Sequence, residues 1–339
     1  MDILTQGLLG GVLAQSASKK EEIKIATLIG VVAGLLADVD IFIYSSNDPL
    51  LNIEFHRHFT HSLFFIPFGA AIAAALFWPF LKNRLPLHRI YLFSLMGYSM
   101  SGLLDACTSY GTHLLWPFSD ERVAFNIISI IDPVFTLCLL ITLAYSLRVK
   151  RQRIAHIGLF VAAVYMLLGF VQLQRATSIA EELIILRGHN VTKSLVKPTL
   201  GNIILWRSAY VHENRIYVDA IRVGMLSKNK IFEGESVEKM LIDKDYPDIA
   251  ENSVLYNDIQ RFKSFSNDFV AIDPTQSNVI GDIRYSMLPT STKPLWGIII
   301  DKNNPQKHPD YQFFRDNSNN IRKKFINMLM WTNDESATK

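Results

Sequence analysis

Three histidines lie within six residues in the stretch EFHRHFTHSLFF, residues 54–65. Neutral imidazoles such as His56, His58 and His61 are common ligands of zinc and similar ions. The guanidinium of Arg57, between the first two, has a geometry that suits phosphate or carboxylate. An apolar run of spanning length follows directly. The stretch predicts either a ligand site or an interfacial belt of His and Arg side chains that contact lipid headgroups.

Carboxylates recur at the ends of other apolar stretches. Asp38 and Asp40 form the motif ADVD, Asp105 follows an apolar run, and Asp132 precedes Pro133 in IIDPVF. Residues two apart do not share a helix face, so the ADVD pair can converge only where a helix ends. We expect Pro133 to break a helix, with Asp132 either a ligand or satisfied by the kink. Carboxylates inside a membrane are costly unless they are paired or bind a cation.

The carboxylates and histidines are expected at similar depths in the membrane. Asp40, Asp105 and Asp132 each lie sixteen residues from a basic residue at the other end of the apolar stretch, which corresponds to roughly 24 Å of helix. His61 lies twenty-one residues before Lys82, roughly 32 Å in a straight helix. We therefore expect these polar groups to meet in one layer near the outward edge of the bilayer core.

Of the 339 residues of the chain, 49% are hydrophobic, and the long apolar stretches are confined to its N-terminal half. Apolar stretches occupy residues 3–14, 25–37, 62–81, 89–107, 123–147 and 154–173. We predict a multi-span α-helical membrane domain over 1–173, followed by a soluble α+β domain over 174–339. The net charge of +3 is too small to indicate nucleic-acid binding. The two cysteines form neither a disulfide framework nor a CxxC metal site.

Basic residues indicate the orientation. They cluster in alternate loops, near residues 19–24, 82–89 and 148–153, and the positive-inside rule assigns these loops to the cytoplasm. The site and the C-terminal domain are then extracytoplasmic. In that domain, we expect a helix that leaves the membrane and ends near Gly188, two strands around a turn at His212–Arg215, and strands in DFVAIDP and PLWGIIIDK.

Several motifs in this order resemble those of the membrane-bound, metal-dependent hydrolase family, also described as LexA-binding, inner-membrane-associated hydrolases. The motifs are MDILTQGLLGG, GLLADVD, FHRHFTHSLFF, LLDACTSYGTHLLWPFSD and IIDPVFTL, and the resemblance covers about residues 1–170. It implies a multi-span bacterial inner-membrane protein with a divalent-metal site. The family's functional positions fall on Asp38, Asp40, His56, Arg57, His61 and Asp105.

Two positions depart from that pattern. Many members have a histidine where Gln6 stands, and another where Ser101 stands. Losing an imidazole would lower metal affinity, leave mostly oxygen ligands, or produce a protein that binds without catalysing.

The leading hypothesis is a metal-dependent hydrolase with a Zn²⁺ or Mn²⁺ ion, acting on a lipid-like or phosphate-bearing substrate at the membrane surface. In this hypothesis Arg57 clamps an anionic group and Asp132 or His58 relays protons. The metal ligands are Asp38, Asp40, His56, His61 and Asp105. The alternative is a non-catalytic membrane scaffold or binding protein whose polar residues hold helices together. A transporter ranks third, because the sequence has no inverted repeat.

Overall fold

The computed structural model describes residues 1–225 and 228–331. The chain forms two compact units. Unit 1 comprises residues 1–43, 54–171 and 200–203, and unit 2 comprises residues 44–53, 172–199 and 204–339.

Helices dominate the N-terminal half. The first eight α-helices are α1 (Ile3–Ser16), α2 (Ile23–Leu36), α3 (Leu50–Phe55), α4 (Ile66–Leu81), α5 (Leu87–Ser99), α6 (Ser101–Ala106), α7 (Pro133–Val149) and α8 (Gln152–Leu186). Within the described residues, three helical segments are long and apolar enough to cross a membrane: Ile23–Phe42, Leu63–Leu81 and Gln152–Leu186. Helix α7 is apolar but shorter. On α4, the side chains of Phe68, Ile72 and Leu76 are about half exposed, as expected of a lipid-facing surface.

Three apolar stretches differ from the sequence prediction. The second is longer than expected, because a 3₁₀ helix over Ala37–Phe42 continues α2. The fourth is divided at Met100 into α5 and α6. The fifth becomes helical only at Pro133, so this proline starts a helix and does not break one. Backbone N–H groups in the first turn of a helix have no intrahelical acceptor. Proline, which lacks an N–H, is therefore favourable at the first helical position.

Glycines allow three helices of unit 1 to approach closely. A Cβ atom added at Gly97 of α5 would lie 2.8 Å from the Cα of Gly30 in α2, and one added at Gly10 of α1 would lie 3.0 Å from the carbonyl oxygen of Gly97. Such close backbone contact is typical of membrane helix packing, which depends on small residues. These contacts bring α1, α2 and α5 together beneath the candidate site.

Unit 2 contains two four-stranded antiparallel sheets, each with its strands in sequence order. The first consists of β1 (Lys193–Pro198), β2 (Leu205–His212), β3 (Arg215–Arg222) and β4 (Lys230–Glu238), and the second of β5 (Val270–Asp273), β6 (Gln276–Asp282), β7 (Trp296–Ile299) and β8 (Asp310–Phe313). Three helices accompany them: α9 (Ile242–Asp245), α10 (Val254–Phe265) and α11 (Asn319–Met330).

The predicted fold class is confirmed: a helical membrane region is followed by an α+β region with two antiparallel sheets. Helix α8 ends at Leu186, and Gly188 has a positive φ of 67°. The turn between β2 and β3 is made by Glu213 and Asn214, both left-handed. The strands expected in DFVAIDP and PLWGIIIDK are β5 and β7.

We predict that Gly30→Leu destabilises unit 1, because the new side chain would collide with the backbone of α1. Overpacking of this kind costs about 1–3 kcal/mol. The thermal aggregation midpoint in detergent should fall clearly below that of wild type. Ala75→Leu, at an exposed position of α4, is the matched control and should leave the midpoint unchanged. Equal midpoints for both variants would contradict the close packing.

Candidate metal centre

The two carboxylates of ADVD lie on the 3₁₀ helix that ends the α2 segment. Its tighter winding changes the angle between successive side chains from that of an α-helix. Asp40 is buried, whereas the side chain of Asp38 keeps 12% of its surface exposed. Both carboxylates contact the same imidazole, that of His61. The expected convergence at the helix end is therefore present in the geometry.

Asp38, His61 and Asp105 form the centre of the site. The Nε2 atom of His61 lies 3.3 Å from Oδ1 of Asp38 and 3.1 Å from Oδ2 of Asp105. One ligand atom from each of the three residues falls within 4.8 Å of the others. His61 and Asp105 are buried. Three separate segments thus contribute to one compact group: the 3₁₀ helix after α2, the 3₁₀ helix Phe59–His61, and α6.

The donor atoms fit a divalent ion. Ligands about 2.05 Å from a tetrahedral metal are about 3.3 Å apart, and ligands of an octahedral metal at that distance are about 2.9 Å apart. The two His61 distances fall within or beside this range. Among the described residues, neither Nε2 of His61 nor Oδ2 of Asp38 has a hydrogen-bond partner, although both atoms are buried. Buried polar atoms are usually hydrogen-bonded, and an ordered water or an ion is the usual partner of those that lack a protein partner.

Asp40 makes its contacts beside this group. Its Oδ2 atom accepts hydrogen bonds from the backbone N–H of Arg57 at 2.7 Å and from the hydroxyl of Thr60 at 3.1 Å. The same oxygen lies 3.2 Å from Nδ1 of His61, and Oδ1 lies 3.2 Å from Nδ1 of His56. A carboxylate at Nδ1 of a histidine is the arrangement that turns Nε2 toward a metal.

Arg57 is buried and has a left-handed backbone with φ 62°. Its guanidinium donates a hydrogen bond to the Thr108 hydroxyl at 2.9 Å, lies 3.3 Å from Oδ1 of Asp105, and stacks 5.0 Å from the Tyr110 ring. The guanidinium that was predicted to bind an anionic group therefore contacts a hydroxyl, a carboxylate and an aromatic ring of the protein. Gln6, one of the two departures from the family pattern, also reaches Asp105 and donates to Oδ2 at 2.9 Å.

Two further partners complete the surroundings. The amino group of Met1 contacts Oδ1 of Asp105. Ser101, the second departure, donates a hydrogen bond to the carbonyl of Gly34 at 3.1 Å. Ser101 thus binds helix backbone, whereas Gln6 contacts the centre itself.

His58 has different neighbours from those of His61. Its ring lies 4.5 Å from that of His113 and 5.9 Å from that of Trp116, measured between centroids. Burial lowers the pKa of His58 and lowers that of His113 to about 4, so both rings are neutral at pH 7. His113 was not among the site residues predicted from the sequence. Its place between Gly111-Thr112 and the aromatic residues that begin at Trp116 could have suggested it.

Asp132 caps a helix. Its Oδ1 atom accepts hydrogen bonds from the backbone N–H groups of Val134 and Phe135, at 3.1 and 3.0 Å, and Oδ2 accepts one from the Tyr165 hydroxyl at 2.8 Å. These bonds satisfy the first turn of α7. The structure therefore brings together Asp38, His61 and Asp105, with Asp40, His56 and Arg57 beside them. The proton-relay roles of Asp132 and His58 stay predictions.

The fold and the buried polar centre define a polytopic helical membrane protein with a group of convergent acids and a histidine. The chain belongs to the YdjM inner membrane protein family, whose sequence pattern matches residues 1–176. This match confirms the prediction that the chain belongs to a membrane-bound family and is located in a membrane.

Two relatives are similar to parts of the chain. "Uncharacterized protein YfhP" of Bacillus subtilis (strain 168) is 26% identical over 211 residues, which cover 62% of each chain. "Inner membrane protein YbcI" of Escherichia coli (strain K12) is 34% identical over 98 residues, which cover 27% of this chain and 54% of that protein. The matches thus span between half and two thirds of the relatives' lengths. No solved structure matches.

We predict that Asp132 can be replaced by Asn with little loss of stability, because an Asn side-chain oxygen can accept the same capping bonds. Asp132→Ala removes the cap and should cost about 0.5–2 kcal/mol. Thermal midpoints of both variants in detergent test this. Equal destabilisation by Asn and Ala would show that the carboxylate charge matters and not the cap.

Proposed function

We propose that the chain is a metal-dependent hydrolase of the bacterial inner membrane. The observation that supports this most is the buried, unpartnered Nε2 of His61 between the carboxylates of Asp38 and Asp105. These three residues would hold a Zn²⁺ or Mn²⁺ ion, since mixed nitrogen and oxygen donors suit both. When bound, such an ion supplies Lewis acidity and lowers the pKa of water to about 7.

Charge balance supports the proposal. In their ionised forms, the side chains of Asp38, Asp40 and Asp105 carry three negative charges. Arg57 and the Met1 amino group in its charged form offset two of these charges. The remaining negative charge is costly in a buried site among apolar helices, and a bound cation would offset it.

The chain's own residues fix the geometry of the centre. Nδ1 of His61 lies 3.2 Å from Oδ2 of Asp40 and 3.1 Å from the Thr60 hydroxyl, so a proton on Nδ1 would direct the Nε2 lone pair between Asp38 and Asp105. Thr60 links the same carboxylate to the histidine segment. Arg57 lies against Asp105 and would stabilise negative charge that develops on an anionic substrate group nearby.

The position of the centre suits a lipid-like substrate with a phosphate or similar anionic group. Asp38, the more exposed of the three residues, lies on the same 3₁₀ helix as Ile41 and Phe42, whose side chains are 55% and 75% exposed. Phe64 at the start of the next membrane segment and Phe118 in the loop between α6 and α7 are also exposed, at 47% and 83%. Apolar surface beside an acidic site would admit an acyl chain and its headgroup together. The distribution of basic loops favours an extracytoplasmic site and C-terminal domain.

The first test is the metal content of the detergent-purified full chain. After loading with Mn²⁺, we expect one equivalent of bound Mn²⁺ in wild type and at least a tenfold loss of it in His61→Gln and Asp105→Asn. His88→Gln, an exposed histidine, is the matched control and should retain the metal. Size-exclusion profiles identify folded variants. The proposal fails if wild type binds no Mn²⁺ after exposure to it, or if the site variants retain full Mn²⁺ occupancy.

A second test concerns the support that Asp40 gives to His61. Asp40→Asn should weaken metal affinity by about 10–100-fold, the usual effect of losing such a partner. Competition with a chelator measures this shift, and Asp248→Asn, at an exposed position of unit 2, serves as a control acid. An unchanged dissociation constant for the metal would show that Asp40 does not support the metal centre.

One observation favours a second candidate, a non-catalytic membrane scaffold. Asp105 already contacts Gln6, Arg57 and the Met1 amino group without any ion, and such bonds hold helices together by themselves. If this candidate is correct, His61→Gln lowers protein abundance in membranes, and hydrolysis of phosphomonoester or phospholipid substrates is absent from wild type. Metal-dependent turnover that His61→Gln abolishes would exclude it.

A further inference from the structure

We infer that His58 and His113 form a second site for a transition-metal ion such as Zn²⁺, separate in its ligands from the proposed hydrolase centre. The two imidazole rings have centroids 4.5 Å apart and are inclined by 48°. Neither residue contributes to the group of Asp38, His61 and Asp105.

Unpartnered nitrogen atoms carry this inference. The Nδ1 atoms of both rings are buried and accept or donate no hydrogen bond among the residues that the structure describes. His113 as a whole is only 9% exposed. A neutral imidazole carries a proton on one ring nitrogen and a lone pair on the other, which is the usual state of a metal ligand.

The ring separation is compatible with a shared ion. A metal about 2.05 Å from each ligating nitrogen lies about 3.2 Å from each ring centroid, so two rings have centroids about 4.5 Å apart at the 90° ligand angle of an octahedral ion and about 5.2 Å apart at a tetrahedral angle. The observed 4.5 Å matches the octahedral angle. The same two rings in contact without an ion would leave two buried nitrogens without partners, which is unfavourable because both lose their bonds to water.

The backbone holds the pair in place. The N–H of His113 donates to the carbonyl of Arg57 at 3.0 Å, directly before His58, and Thr112 forms a two-way bridge with Val123. The Trp116 ring covers His58 at a centroid distance of 5.9 Å. Two loops are therefore fixed against each other at the point where the rings meet, as a preformed site requires.

The donor chemistry separates the two sites. Imidazole donors alone favour Zn²⁺, Ni²⁺ and Cu²⁺, whereas Mn²⁺ prefers sites rich in oxygen. Mn²⁺ should therefore occupy only the centre with Asp38 and Asp105, while Zn²⁺ should occupy both. The pair would supply two imidazole donors, so the remaining positions of an ion held there would be open to water or to an anionic ligand.

The experiment is a Zn²⁺ titration of the chelator-treated, detergent-purified full chain. We expect two equivalents bound by wild type and by the control His88→Gln, and one by His113→Gln and by His58→Gln. Mn²⁺ should bind once to wild type and once to His113→Gln. Equal Zn²⁺ stoichiometry in wild type and in both histidine variants overturns the inference.

The design distinguishes this inference from the proposed function. His61→Gln should lose the Mn²⁺ equivalent and retain Zn²⁺ at the histidine pair, so either site can fail alone. Electron paramagnetic resonance of Cu²⁺-loaded His61→Gln provides a direct view of the ligands. A spectrum with hyperfine coupling to two imidazole nitrogens supports the pair, and a spectrum without such coupling overturns it. This measurement also decides the question if a variant at position 113 fails to fold.

Discussion

The contact between Asp40 and His61 is the interaction on which the rest of the site depends. It joins the end of one membrane segment to the start of another and fixes one ring nitrogen, so that the second nitrogen faces Asp38 and Asp105. Without a partner at Nδ1, the imidazole could rotate or change tautomer, and the three donor atoms would not stay grouped. Burial strengthens this dependence, since a low dielectric makes each unmet charge more costly.

Helix packing supplies the rigidity that this contact needs. Gly102 places α6 so close to the His61 backbone that any Cβ atom there would collide with the His61 carbonyl. The Tyr98 hydroxyl donates to the Thr60 carbonyl at 2.7 Å, which fixes the same segment from α5. The small-residue contacts among α1, α2 and α5 therefore support the same part of the molecule as the polar contacts of the site. A site for chemistry at a membrane edge needs such support, because displacements near 1 Å impair function.

Much of this arrangement could be predicted from the sequence. The equal spacing of Asp40 and Asp105 from basic residues indicated a common depth, and the end of the α2 segment was the only place where Asp38 and Asp40 could converge. The individual roles were harder to predict. Ligand and supporting carboxylates have the same side chain, and only three-dimensional contacts distinguish Asp38 from Asp40. His58 and His61 are three residues apart, but His58 precedes the 3₁₀ helix Phe59–His61 and has a non-helical backbone (φ −91°, ψ −129°), so the two rings join different clusters. Similarly, spacing could not reveal that Asp132 caps α7.

Anomalous X-ray diffraction at the manganese edge, from crystals of the full chain grown with Mn²⁺, would test the central claim most directly. The account predicts one strong anomalous peak among Nε2 of His61 and the carboxylates of Asp38 and Asp105, with Asp40 hydrogen-bonded to Nδ1 of the same ring. A map with no peak there, and with His61 donating from Nε2 to a carboxylate as an ordinary hydrogen bond, would contradict it.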